Sequence, residues 1–246
     1  MRIDDIKQVT ATPLSSPAFP PGPYRAVNRE YLHITYRTDP DALRAVVPEP
    51  LAVDADNPLV KFEVMRTPDT SGMGDFTECG QVVPVTYEGK PGAYLHALYL
   101  DNAPAIALGR ETAAYPKKAG SPRLFVDNDT LVGSLDYGTL PVATATMGYK
   151  HRPLDLDTVR AGMSGPTYML KVLPHYDGGQ RICELLRIRL TDFTVRGAWT
   201  APARLQLFEH VAAPLADLPV REVVSADHII ADVTIPVPEV AHDYLA

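Results

Sequence analysis

The chain has 246 residues, 46% of them hydrophobic and 22% charged, with a formal net charge of −7. This length suits a single domain with a buried core. The acidic balance argues against nucleic acid or an anionic membrane surface as partner.

Further exclusions come from individual residues. Cys79 and Cys183 have no partner spacing, so we expect reduced thiols and a cytoplasmic setting. Residues 1–7 carry acidic side chains where a signal peptide needs an apolar run. No stretch reaches the roughly 18 consecutive apolar residues of a membrane span.

In chain order, residues 1–30 contain Pro13, Pro17, Pro20, Pro21 and Pro23. Proline fixes φ and lacks the amide donor, which predicts an extended proline-rich arm. Tyr31–Tyr36 alternates as a strand, and residues 39–47 read as a short helix stopped by Pro48. Leu59–Met65, Gln81–Tyr87 and Ala93–Leu100 read as strands, with a turn over 88–92. Asn102 is placed to cap a helix with Pro104 in its first turn, ending before Tyr115 because Pro116 follows. If residues 116–119 are extended, successive side chains there point to opposite sides.

The second half reads mostly as strand. Thr130–Leu135 and Leu140–Tyr149 flank a turn at 136–138, and Asp155 caps a short helix through Met163. Tyr168–Pro174 and Arg181–Val195 flank Asp177-Gly178-Gly179, a hairpin signal. Leu205–Phe208 and His228–Ile235 add strands. Many strands with few helices predict a mainly β (α+β) fold, an antiparallel barrel or sandwich. No internal repeat or linker divides the chain, so one domain is expected over 1–246.

Common cofactor and metal motifs are missing. The seven histidines never fall at local metal-ligand spacing, and no C-x-x-C occurs. Neither G-x-G-x-x-G nor a phosphate-cradling P-loop is present, and Ser164 lacks the glycine spacing of a nucleophile elbow. We therefore expect neither cofactor nor metal. An adjacent pair, Lys117-Lys118, follows an Ala-rich apolar stretch and Pro116. Adjacent lysines near a glycine are usually a solvated loop. A lysine held against apolar packing, by contrast, can lose its proton and attack a ketone to form a Schiff base. Arg29, Glu63 and Glu78 are the other candidates, although a charged residue in a strand more often faces solvent.

Several segments together carry a family resemblance. They include Pro17-Ala-Phe-Pro-Pro-Gly-Pro-Tyr24, Asn28-Arg-Glu-Tyr31, Asp69-Thr-Ser-Gly-Met-Gly74, Tyr99-Leu-Asp-Asn-Ala-Pro-Ala-Ile106, Tyr115-Pro-Lys-Lys118 and Ala143-Thr-Ala-Thr-Met-Gly-Tyr-Lys150. The chain resembles the acetoacetate decarboxylases from its first strand to Tyr244. The resemblance implies a closed antiparallel β-barrel with a few short helices, and a large homo-oligomer. It matches Lys117 to the family's Schiff-base lysine, Lys118 to its neighbour, and Arg29, Glu63 and Glu78 to the polar pocket residues. This family is itself a standard instance of a lysine activated by a lowered pKa.

The expected chemistry converts a small β-keto acid, acetoacetate, to acetone and CO2 through an imine and an enamine. Desolvation, rather than repulsion by Lys118, is expected to neutralise the amine. Arg29 and Glu78 are expected to bind substrate, with Arg29 pairing one glutamate and leaving the other carboxyl for proton transfer or for orienting the substrate. Two alternatives stay open: a Schiff-base aldolase or dehydratase acting on a larger keto acid, and a non-catalytic barrel that binds a small carboxylate.

Overall fold

Residues 31–34 are buried without interruption, the mark of a strand covered on both faces. In the computed structural model, which describes residues 1–246, they lie mid-sheet in β1 (Tyr24–Arg37). The first half contains α1 (Ile3–Ile6), β1, α2 (Pro40–Val46), β2 (Leu59–Thr70), β3 (Gly74–Tyr87), β4 (Lys90–Leu100), α3 (Ala103–Thr112) and β5 (Lys117–Ala119). Next come β6 (Ser121–Asp127), β7 (Thr130–Tyr137), β8 (Leu140–Gly148), β9 (Arg152–Pro153) and α4 (Leu156–Met163). The chain ends with β10 (Thr167–Pro174), β11 (Gln180–Ile188), β12 (Thr191–Thr200), β13 (Ala203–Leu207), β14 (Glu222–Ile235) and β15 (Glu239–Asp243).

The fold is mostly strand with few helices, but it is not the closed barrel expected above. The 11-stranded sheet runs β15-β11-β10-β4-β3-β2-β1-β14-β12-β9, with β5 also on β4, and its two ends do not pair. A physical reason lies at those ends. β9 is two residues long and includes Pro153, which has no N–H to give a further strand. β15 is five residues long and carries charge at Glu239 and Asp243. The remaining strands form a separate sheet in the order β13-β8-β7-β6.

The arm is shorter than expected. Ile3–Ile6 forms a helical turn and residues 24–30 belong to β1. The segment between them docks by burying Ala11 and Phe19 against Leu108 of α3. The expected strand over 181–195 is two strands, β11 and β12, and β6 and β15 had no signal that we read.

Strand alternation gives the large sheet two different faces. On one, Leu32, Ile34, Phe62 and Val64 pack against Leu131, Leu135, Val142 and Ala145 of the small sheet. On the other, Tyr31, Met65, Leu98 and Ile229 form a second apolar cluster with Ala114 and Met169. The contact between sheets is tight at Gly133, where an added Cβ would lie 2.8 Å from Val64 Cγ2 and 3.1 Å from Leu32 Cδ2. Gly133→Val should therefore overpack this interface and cost about 1–3 kcal/mol. Urea denaturation should show the midpoint falling; an unchanged midpoint would contradict this packing.

Candidate active site

The second face of the large sheet opens into a cavity of about 720 Å³. Pairing across the sheet sets His33 of β1 beside Glu63 of β2, Glu63 beside Gly80 of β3, Gly80 beside Leu98 of β4, and Leu98 beside Lys117 of β5. One lateral row therefore carries an imidazole, a carboxyl and the candidate amine. The neighbouring row on the same face holds Tyr31, Met65 and Glu78. Arg29 lies two residues before Tyr31 and so joins the same face.

Lys117 is 7% exposed. Its Nζ lies 2.8 Å from Glu78 Oε1 and donates to the Ala105 carbonyl of α3 at 3.1 Å. The Tyr115 ring centre is 5.0 Å away and that of Phe76 5.9 Å. The lysine stem lies flat on α3 at Gly109, where an added Cβ would come within 2.6 Å of Lys117 Cδ. Asn102 sets the start of that helix, its side chain accepting from the Ala105 amide at 2.9 Å.

Lys118 points the opposite way, as extended backbone requires. Its ammonium donates to the Ala212 carbonyl and stands 5.1 Å from the Tyr137 ring centre. It does not line the cavity, whereas Arg29, Glu63, Glu78 and Lys117 all do.

The two glutamates differ electrostatically. Glu78 bridges two basic side chains: Arg29 Nη2 donates to its Oε2 at 2.9 Å while Lys117 Nζ lies 2.8 Å from its Oε1. Burial alone would raise its pKa, but Lys117 and Arg29 outweigh burial and hold it below the usual carboxylate range. Glu63 has only His33 at close range, with His33 Nε2 3.5 Å from its Oε2. Burial pushes the Glu63 pKa up, aided by the Glu78 charge and opposed by Lys61 and Arg29. His33 is driven well below its usual value by burial, with Lys61 and Arg29 adding to the effect, so it is neutral and screens Glu63 little. Arg29 stays charged. Burial works against it, but the Tyr31 hydroxyl and the carboxylates of Glu78 and Glu63 raise its pKa.

The structure thus gathers four of the five sequence candidates and sets Lys118 apart. Sequence reasoning passed over His33 and Tyr115, which also line the cavity. The alternation of Arg29, Tyr31 and His33, and of Lys61, Glu63 and Met65, was the available signal: each set falls on one strand face. No group of three or more His, Cys, Asp or Glu is placed to hold a metal ion, and no helix is long and apolar enough to cross a membrane.

Comparison with known proteins identifies the family. The family described as acetoacetate decarboxylase matches residues 9–245. An acetoacetate decarboxylase from Streptomyces nogalater is 63% identical over 246 residues, covering 100% of both chains. A solved acetoacetate decarboxylase structure superposes with a TM-score of 0.97 at 60% identity, covering 100% of both chains. That from Legionella pneumophila superposes at 0.94 with 44% identity, covering 100% of this chain and 98% of the other. The chain belongs to the acetoacetate decarboxylase family.

Proposed function

We propose that the chain decarboxylates acetoacetate to acetone and CO2 through an imine on Lys117. The observation that carries this reading is an amine buried in a mainly apolar cavity, beside a carboxylate already shared with an arginine. Neutral Lys117 Nζ attacks the ketone carbon, and the ketone oxygen leaves as water. The protonated imine then draws the electron pair of the breaking bond as CO2 departs, giving an enamine. Protonation of the former methylene carbon, followed by hydrolysis, releases acetone and the free amine.

Each polar neighbour has a role in this reading. Glu78, 2.8 Å from Nζ, favours the cationic imine, the form that accepts electrons. Arg29 Nε is buried without a partner, which suits it to receive the substrate carboxylate. Glu63, whose pKa burial raises, donates a proton to the enamine carbon. Lys118 anchors β5 through Ala212 and takes no chemical step.

A larger keto acid is the second reading, because a cavity of about 720 Å³ is far roomier than a seven-atom substrate needs. The high identity to acetoacetate decarboxylases over the full chain favours the small substrate. We extend the family resemblance to a homo-oligomer in the cytoplasm. Light scattering would measure that assembly.

Two measurements test the mechanism. In 18O-labelled water, every acetone released through an imine carries one solvent oxygen; acetone that keeps the substrate oxygen overturns the imine route. The acid role of Glu63 sets a pH dependence. Turnover falls as pH rises through its raised pKa, because the donor proton is then lost. Glu63→Gln should lower kcat by about 10²–10⁴-fold and abolish that alkaline limb. An unchanged kcat in the variant would remove Glu63 from the mechanism.

A further inference from the structure

Lys171 is a buried cation that the site above does not use. It stands on β10 and forms no ion pair with a carboxylate. Instead its Nζ donates to the carbonyls of Arg110 at 2.7 Å, Glu111 at 2.7 Å and Ala113 at 2.6 Å. Carbonyls at a helix end have no partner within the helix, and the dipole places partial negative charge there. Three donors on one ammonium match three such acceptors at the end of α3.

The charged groups around Lys171 are few. Glu184 faces it across the β10–β11 pair, and Glu111 and Arg110 flank it on α3. Burial lowers its pKa, while Glu184 and Glu111 oppose this and Arg110 adds to it.

What Lys171 grips is the turn that delivers Lys117. Ala113 leaves helical geometry with φ −124° and ψ −148°, and the chain reverses so that the Tyr115 amide donates to the Gly109 carbonyl at 3.1 Å. Arg110 Nη1 then donates to the Lys117 carbonyl at 3.2 Å. β4 uses one edge twice: Ala93 and Tyr94 pair with Thr167 and Tyr168 of β10, while Leu98–Leu100 pair with Lys117–Ala119 of β5. No ladder joins β10 to β5 across this split. Lys171 spans it, and both Ala113 and Lys117 line the cavity.

We propose that Lys171 is a positioning residue for the reaction: by binding three carbonyls at the end of α3, it fixes the 113–117 reversal and holds the Lys117 amine against Glu78. The proposal rests on the reading of Lys117 as nucleophile. It assigns Lys171 no contact with substrate.

Lys171→Met keeps the apolar stem and removes the donors. We expect kcat to fall by about 100-fold, the cost of a misplacement of about 1 Å, with KM changed far less. A purely structural role would lower the amount of folded protein and leave kcat per folded enzyme at the wild-type value with KM unchanged, which overturns the proposal. Should Lys171→Met not fold, Lys171→Gln, which keeps two donors, decides: at least a tenfold loss of kcat supports the proposal and a smaller change overturns it. Lys117→Met, assayed in parallel, separates the underlying reading, since retained activity there removes the nucleophile whatever Lys171 does.

Discussion

Two basic side chains and one carboxylate share a buried site, and the rest of the structure serves to keep them together. Removing a charge from water costs several kcal/mol per ion unless partners replace the lost hydration. Glu78 meets that need for both Arg29 and Lys117. Arg29 Nε is left without a partner in this set, open to the anion a keto acid brings. Glu63 lies outside this pairing, and burial raises its pKa above the usual carboxylate range. One carboxyl with a lowered pKa beside another with a raised pKa is an arrangement suited to acid–base work.

Nothing local in the chain brings these groups together. Arg29, Glu63, Glu78 and Lys117 come from four strands, and the antiparallel register of β1 to β4 with the parallel β4–β5 pairing puts them on one face. A shift of one residue in any of these strands would turn its polar groups toward the small sheet. The packing of Leu32 and Val64 against Gly133 on the opposite face therefore bears on chemistry as well as stability. Helix α3 supplies what the sheet does not: a carbonyl for the amine at Ala105 and a bare surface at Gly109.

Much of this was legible in local patterns. The cap at Asn102, the helix stop before Tyr115 and the opposed side chains of Lys117 and Lys118 all follow from short-range rules, and the structure has them. Long-range facts were not legible. Barrel closure depends on whether the two end strands meet, and composition says nothing of that; the resemblance suggested closure and the strand order refutes it. A glutamate on a strand suggests a solvent face, yet Glu63 faces the cavity, because β2 is covered on both sides. Lys171 had no sequence signal at all. Its partners are backbone carbonyls about 60 positions earlier, and only the folded path of α3 presents them.

The central claim is that Lys117 forms the covalent bond to substrate. Borohydride reduction in the presence of acetoacetate, followed by peptide mapping by mass spectrometry, tests it most directly. The account predicts a reduced adduct on Lys117 alone, with Lys118 and Lys171 unmodified. An adduct on another lysine, or none while acetone is still being formed, would contradict it.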